Sequence, residues 1–566
     1  MEDNSPQLLA AIEPRSSPEY LSASSQRETH DLGLPLRPRG FIKPLLVWLI
    51  SLLMLSPTDL GEFGFDSAAF SYVAQVLQSG GNLYRDVWDN KQPGIFWFYQ
   101  VIGQLLGNDW HSLFVGTSIW TATTALLASY VILYALPKER WAPFSPLLVV
   151  AILATRAETE HIGQIESLVA LPLMGIGLCA LRLQTQAAKP SDGPQAPWRQ
   201  YFVPGLVAGA LTSMVMSFKL VLAPLAALLF FVTIAPSVAR RHWRSRQLLA
   251  SVVGFALGIF AVDAAVVGYF VQHESLGEFW WTTFRYPLAA LRQAPLAPPE
   301  RLLGGLRWFA IAASPLLPLA LVAVLQGRRL FSGLTGAAAL FALTWLGAGF
   351  ALILAQKFSW WTYHFEMLLW PLGLLAAAGI ARIGELLRSA GRLRIALFLP
   401  RLIVASVAIF LTIQSVHAVR KRSLPEWPIS SDLRSAIAGA SDLVRLFGWD
   451  SVATACGTGY VIGDPRLLLA SGLKQAIPTP GMSWWGAFLP AQLRQLPAQL
   501  ARAMPDYVYI SAEFQAQFAR DLPELGQWLD DAYRQLRSDA TGGIWWQRNA
   551  RDSATSCPRR QVFTVP

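Results

Sequence analysis

The chain has 566 residues, 53% of them hydrophobic and 14% charged, with a formal net charge of +10 and a mean hydropathy of +0.37. That balance excludes an ordinary soluble globular protein. Lys and Arg fall between apolar runs, with no basic block interleaved with aromatics, which argues against nucleic acid as the reason for the positive charge.

Residues 1–40 are polar and rich in Ser and Pro, which predicts a disordered cytoplasmic N-terminus without a cleavable signal peptide, the first span acting as signal anchor. A spanning helix needs roughly 20 mostly apolar residues. Eleven candidates follow, near 41–57, 112–136, 143–156, 165–184, 201–217, 219–236, 247–272, 307–325, 331–355, 364–384 and 398–418. From about residue 430 the long apolar runs stop. SVATAC, DYVYI and GIWWQR then read as short strands between helical stretches such as SDLVRLF and LGQWLDDAYRQL. The expected fold is an all-α polytopic membrane bundle of about 11 transmembrane helices over 41–420, with a small extracytoplasmic α/β domain over 430–566.

Basic residues set the expected orientation. With Arg37, Arg39 and Lys43 inside, the pairs Lys138/Arg140, Lys189/Arg199 and Arg328/Arg329 and the clusters Arg240–Arg246 and Arg382–Arg394 all fall inside too. The outward loops are then 58–111, 157–164, 273–306 and 356–363, together with everything after 418; Arg420, Lys421 and Arg422 are the discordant group. Cys179 lies in an apolar run, while Cys456 and Cys557 leave one bridge open in an oxidising compartment. No solenoid repeat and no Gly-rich phosphate loop is present.

The first outward loop holds Asp59, Glu62, Asp66, Asp86, Asp89 and Lys91, more carboxylates than a connector needs. Its stretches Ala68–Leu77 and Gly94–Leu106 read as helices lying along the membrane interface. Asp66 after the first span, then Gly-Gly-Asn-Leu-Tyr (80–84), then Asp-Asn-Lys-Gln-Pro-Gly (89–94), resembles the first periplasmic loop of GT-C-type glycosyltransferases. The branch it resembles contains protein O-mannosyltransferases, lipid A aminoarabinose transferases and rhizobial core transferases. The resemblance covers about residues 40–420 and implies that Asp66 is the catalytic base and that Lys91 lies beside the donor phosphate. Gln92 departs from the family's commoner Lys-Pro-Pro or His-Pro-Pro pattern.

By residue type alone Asp66 serves equally as a cap for a helix beginning at Ser67, and Lys91 as a snorkelling side chain. An inverting transfer from a polyprenyl phosphate does need a carboxylate to take the acceptor's proton and a cation for the leaving phosphate. In the second loop the resemblance implies a second acidic position, met by Glu166 and next by Glu160, against a plain preference of Glu166 for a helix N-terminus. Lys219 resembles the family's Leu-Thr-Lys stretch at an outward helix junction, beside the lipid phosphate; the alternative is a snorkelling residue between two nearly fused spans. Asp263, inside an apolar run, is read as hydrogen-bonded within the bundle. Gln356, Lys357, Tyr363 and His364 resemble the donor-side stretch that precedes a Pro-containing helix, whereas a lone His at a helix start also serves structure.

The reading is an integral membrane glycosyltransferase of the bacterial inner membrane that takes a sugar from a polyprenyl-phosphate donor. The acceptor is a lipid, polysaccharide or protein on the periplasmic face. Asp66 and Glu166 are the catalytic candidates, Lys91, Lys219 and His364 the phosphate-binding ones, and Asp86, Asp89, Glu160 and Tyr363 further candidates. A divalent cation is compatible with so many carboxylates, but no HExxH or CxxC spacing defines ligands for one. The competing classes are a transporter or flippase, which would place charges at mid-membrane, and a non-catalytic scaffold with an extracytoplasmic binding domain.

Overall fold

The computed structural model describes residues 38–56, 63–156, 161–187, 197–239, 245–293, 296–326, 332–357, 359–392, 457–481, 494–538 and 542–549, with parts of 394–416. The helical part comprises α1 (Pro38–Leu55), α2 (Phe65–Gln78), α3 (Pro93–Leu105), α4 (Trp110–Ala135), α5 (Pro146–Arg156), α6 (Ile165–Ala187), α7 (Arg199–Phe218) and α8 (Leu220–Ala239). It continues with α9 (Ser245–Gln272), α10 (Leu276–Trp280), α11 (Tyr286–Gln293), α12 (Pro299–Ala313), α13 (Leu317–Val324), α14 (Gly333–Ala355) and α15 (Thr362–Ser389).

Among the described residues seven helices, α4, α6, α7, α8, α9, α14 and α15, are long and apolar enough to cross a membrane. Of the eleven expected spans, the first and third are short and lie close to their expected bounds, and one other is broken. The apolar helices Phe41–Leu55 and Ala142–Thr155 are shorter than a full crossing. The span expected over 307–325 is broken, α12 and α13 meeting at an 80° bend. Pro315 sits at that break, where it can neither donate to the preceding turn nor fit against it, and a tight turn closed by Leu316 N–H on Ala313 O (2.8 Å) takes its place. The candidate at 398–418 lies largely outside the described residues, as do 1–37 and the segments 451–456 and 441–447. The nearly fused fifth and sixth candidates are two spans, separated at Lys219, whose extended backbone (φ −158°) ends α7.

The α7/α9 pair shows how small residues build this bundle. Gly205 and Gly209 on α7 face Gly254 and Gly258 on α9, a small-xxx-small spacing on both partners. A Cβ on Gly205 would lie 2.3 Å from Ser251 O and one on Gly209 1.9 Å from Phe255 O. Reciprocally, a Cβ on Gly254 would lie 2.3 Å from Phe202 O and one on Gly258 2.0 Å from Leu206 O. Backbone therefore rests on backbone at four points. Beyond this contact Ser213 Oγ donates to Asp263 Oδ1, the intrahelical-bundle partner expected for that carboxylate.

Among the described residues, the loops expected inside and those expected outside make separate sets of contacts. At one end Arg388 binds Glu139 (2.6 Å) and Thr335 Oγ1 donates to Ala135 O (2.7 Å), all in or beside loops expected inside. At the other end the four expected outward loops meet: Ser67 Oγ bonds Ile162 O (2.7 Å), Trp88 Nε1 bonds Thr282 Oγ1 (2.9 Å) and Ala297 N–H bonds Lys357 O (2.9 Å).

The C-terminal region forms a five-stranded sheet of order β2-β1-β3-β5-β4, from β1 (Thr458–Ile462), β2 (Lys474–Gln475), β3 (Tyr507–Ile510), β4 (Tyr533–Ser538) and β5 (Ile544–Arg548). β1 is parallel to β2 and β3, and β5 is antiparallel to β3 and β4. Helices α16 (Pro465–Ser471), α17 (Leu496–Ala503), α18 (Ala512–Asp521) and α19 (Pro523–Ala532) complete it. The stretch LGQWLDDAYRQL, expected as helix, is helical only to Ala532; Tyr533 onward pairs with β5, so ladder bonds across the hairpin override local helical pattern. This sheet region docks on the first loop: Gln475 N–H donates to Tyr72 Oη (2.6 Å), Trp88 N–H to Pro478 O (2.9 Å) and Arg466 Nη1 to Phe63 O (3.4 Å).

Replacing Gly209 with Val should cost at least about 2 kcal/mol, because backbone on the facing helix cannot yield as a side chain would. Thermal unfolding of the purified protein should show a clear drop in midpoint for this variant, while Gly268→Ala, with open space around the added carbon, should leave the midpoint unchanged or slightly raised.

Candidate active site

Asp66 lies in the first turn of α2, and the cap of that helix is Gly64, so capping does not account for the carboxylate. Its Oδ2 instead accepts from Gln164 Nε2 (3.2 Å) and Tyr363 Oη (3.4 Å), groups from the second and fourth loops. The loop carrying Gln164 is itself tied to the first loop, since Tyr99 Oη donates to Gly163 O (3.2 Å). Three segments nearly 300 residues apart thus converge on one half-buried carboxylate.

Glu166, 3% exposed, accepts from Lys219 Nζ, and His364 Nε2 stands 3.4 Å from the same oxygen. A carboxylate out of water needs such a partner. Lys219 sits at the C-terminal end of α7, where the helix dipole also favours a cation. His364, itself buried, leaves Nδ1 without a hydrogen-bond partner among the described residues. It lies within electrostatic reach of Lys91 as well as Lys219 and Glu166.

Lys91 reaches this group by close packing. Gly94, at the start of α3, touches the end of α7: a Cβ there would lie 2.6 Å from Ser217 Oγ and 2.7 Å from Ser217 O, two residues before Lys219. The Lys-Gln-Pro-Gly turn therefore owes its seat to a glycine. Tyr84 secures the turn from the other side. Its backbone is left-handed (φ +68°), its ring stacks on Phe270 and its hydroxyl donates to Lys91 O (2.6 Å). Such a conformation persists in a bulky residue only when its surroundings over-determine it. Lys91 Nζ donates to Asn90 Oδ1 (3.1 Å) and lies 5.7 Å from the Phe70 ring centroid.

Asp89, 3% exposed, accepts from Lys91 N–H (3.0 Å). Burial raises its pKa above the usual carboxylate range, and the Lys91 charge opposes that rise. Tyr72, under the docked sheet region, is pushed up to about 12 by burial, the bond from Gln475 working against it. Asp86 is exposed and closes a turn, accepting from Asn82 N–H (2.7 Å) and pairing with Arg85 (3.4 Å). Glu160, Asp59 and Glu62 lie outside the described residues. Among the described residues no group of three or more His, Cys, Asp or Glu side chains is placed to hold a metal ion.

Two features escaped the sequence reading. One is Gln164, which carries no signal of its own. The other is a buried pair: His161 Nδ1 donates to Glu366 Oε1 (2.6 Å) and Nε2 meets Thr362 Oγ1 (3.1 Å), which ties the second loop to the residues beside Tyr363 and His364. A carboxylate at the mouth of an apolar helix is costly, and on that ground Glu366 could have been flagged.

No protein-family model matches the sequence, and no curated protein matches it significantly. Solved structures do match. ArnT from Cupriavidus metallidurans bound to undecaprenyl phosphate superimposes with a TM-score of 0.55 at 13% identity, over 89% of this chain and 97% of that one. The chain shares the ArnT fold. ArnT in the apo state gives a TM-score of 0.55 at 12% identity, over 89% of this chain and 96% of that one. The mycobacterial arabinofuranosyltransferase AftD gives a TM-score of 0.47 at 14% identity, over 90% of this chain and 40% of that one. ArnT is a GT-C glycosyltransferase, so the likeness to that group read in the loop motifs holds at the level of fold, including the small C-terminal domain.

Breaking the Glu166–Lys219 pair from either side should destabilise the protein by about 3 kcal/mol or more, because the surviving charge is left without its partner. Glu166→Gln and Lys219→Met should each lower the thermal midpoint, and the double variant should lose clearly less than the sum of the two. Strict additivity would show that the two groups do not act as a pair.

Proposed function

We propose that the protein is an integral membrane glycosyltransferase that transfers a sugar, with inversion, from a polyprenyl-phosphate carrier to an acceptor hydroxyl at the outer face of the inner membrane. The observation that carries this reading is the convergence of one carboxylate, Asp66, with a group of Lys91, Lys219 and His364 around Glu166, all at one end of the bundle. The fold it shares with ArnT, which was solved with undecaprenyl phosphate bound, supports the class of donor.

Asp66 takes the acceptor's hydroxyl proton as its oxygen attacks the anomeric carbon. Gln164 and Tyr363 hold the carboxylate in place through this step. The bond from the anomeric carbon to the phosphate oxygen breaks, its electron pair leaves with the phosphate, and the polyprenyl phosphate departs. Negative charge grows on that oxygen as the bond lengthens, and Lys91 and Lys219 stabilise it. His364 Nδ1, without a hydrogen-bond partner among the described residues, is placed to meet a further phosphate or sugar oxygen. Glu166 holds Lys219 in place rather than acting on the sugar itself, a narrower role than the catalytic one expected for it.

Purified protein supplied with a panel of radiolabelled polyprenyl-phosphate sugars should turn over at least one of them. Asp66→Asn should slow that turnover by roughly 10²- to 10⁴-fold, the range expected for loss of a general base, with the thermal midpoint unchanged. Equal turnover by both proteins would refute the assignment of Asp66. A failure of every donor would refute the donor class.

A further inference from the structure

The third of the loops on the site's side contains a surface that the transfer chemistry does not use. After α10, a π-helical turn (Trp281–Arg285) leads into α11. One face of this segment is packed: Thr282, Thr283, Tyr286 and Ala290 are buried, and Trp88 crosses the Tyr286 ring at 5.4 Å. The opposite face is open. Arg285, Leu288 and Arg292, at spacings of three and four residues, lie on it together with Leu291. Leu288 is 57% exposed and Leu291 41%, while the flanking Trp280 and Leu296 are 53% and 68% exposed.

Large apolar side chains do not gather at this density on a surface that faces water. The charge pattern narrows the choice of what they face. No Asp or Glu occurs between Glu278 and Glu300, and among the described residues neither Arg285 nor Arg292 has a carboxylate partner. Leucines and a tryptophan beside unpartnered arginines on a short helix are the arrangement of an element lying in the headgroup layer, apolar side chains toward the acyl boundary and guanidinium groups at the phosphates. Lysine would supply only a point charge there, whereas the planar guanidinium matches two phosphate oxygens at once.

We propose that the 281–293 segment is a binding surface for anionic phospholipid headgroups, held by Arg285 and Arg292. Its buried face explains why such a surface would matter. Trp88 bonds Thr282, and Trp88 lies three residues before Lys91. The lipid-facing element and the Lys91 turn are thus two sides of one packed unit, and seating the first in the headgroup layer fixes the depth of the second. The proposal concerns lipid binding and stands whether or not the transfer reading holds.

Full-length protein in detergent, presented with equal amounts of phosphatidylglycerol and phosphatidylcholine, tests this by native mass spectrometry. Each arginine near an anionic surface should give roughly a fivefold preference, so the wild type should retain phosphatidylglycerol over phosphatidylcholine by about tenfold or more. Arg285→Gln combined with Arg292→Gln should bring the ratio close to one with no change in thermal midpoint, and the Lys pair at the same positions should restore part of the preference. A wild type without preference, or a Gln pair that keeps it, would overturn the proposal. So would displacement of the lipid by millimolar inorganic phosphate, which would mark a site for free phosphate instead.

Discussion

Glu166 is buried and forms an ion pair with the partly buried Lys219, and a carboxylate in such a place is costly without a cation beside it. Their pairing needs the start of α6 and the end of α7 to lie at the same depth. It also needs α7 to end where it does, because Lys219 directly follows the last helical residue, Phe218, in extended backbone. The break between α7 and α8 is therefore part of the site's construction, and His364 and the Lys91 turn are arranged around the pair that occupies it.

The same logic of enforced proximity recurs with uncharged groups. Gly94 lets the first loop touch the end of α7 backbone to backbone, as the glycines of α7 and α9 do deeper in the bundle. Where side chains rather than backbone make the link, it is made by hydrogen bonds that cross between loops: Ser67 to Ile162, Tyr99 to Gly163, and Gln164 and Tyr363 to Asp66. The second and fourth loops are joined by the buried His161–Glu366 pair, and the sheet region rests on Tyr72 and Trp88 above them. Each loop is thereby ordered by the others, which suits a site that must keep its geometry beside a fluid bilayer.

The bundle was legible because hydrophobicity over 20 residues is a strong local signal. It failed where a local rule overrode the average, as at Pro315, which breaks one span into α12 and α13. The C-terminal strands at 507–510 and 544–548 were legible from their β-branched and aromatic runs, whereas β4 hid inside a helical pattern because its partner strand, not its own composition, decides its state. Within the site, Asp66, Lys91, Lys219 and His364 stood out through the resemblance, and the structure brings them to one end of the bundle. What no single sequence could tell was their partners. Gln164 and the His161–Glu366 link depend on contacts between residues about 100 to 200 positions apart, for which a lone sequence holds no signal.

The central claim is that the groups around Glu166 form the seat of a lipid-linked phosphate. Determining the structure of the protein in a lipid nanodisc with undecaprenyl phosphate added tests it most directly. The account predicts density for the phosphate within hydrogen-bonding distance of Lys91 Nζ, Lys219 Nζ or His364 Nδ1, with the prenyl chain leaving toward the bilayer. Phosphate density at the opposite end of the bundle, beside Glu139 and Arg388, would contradict it.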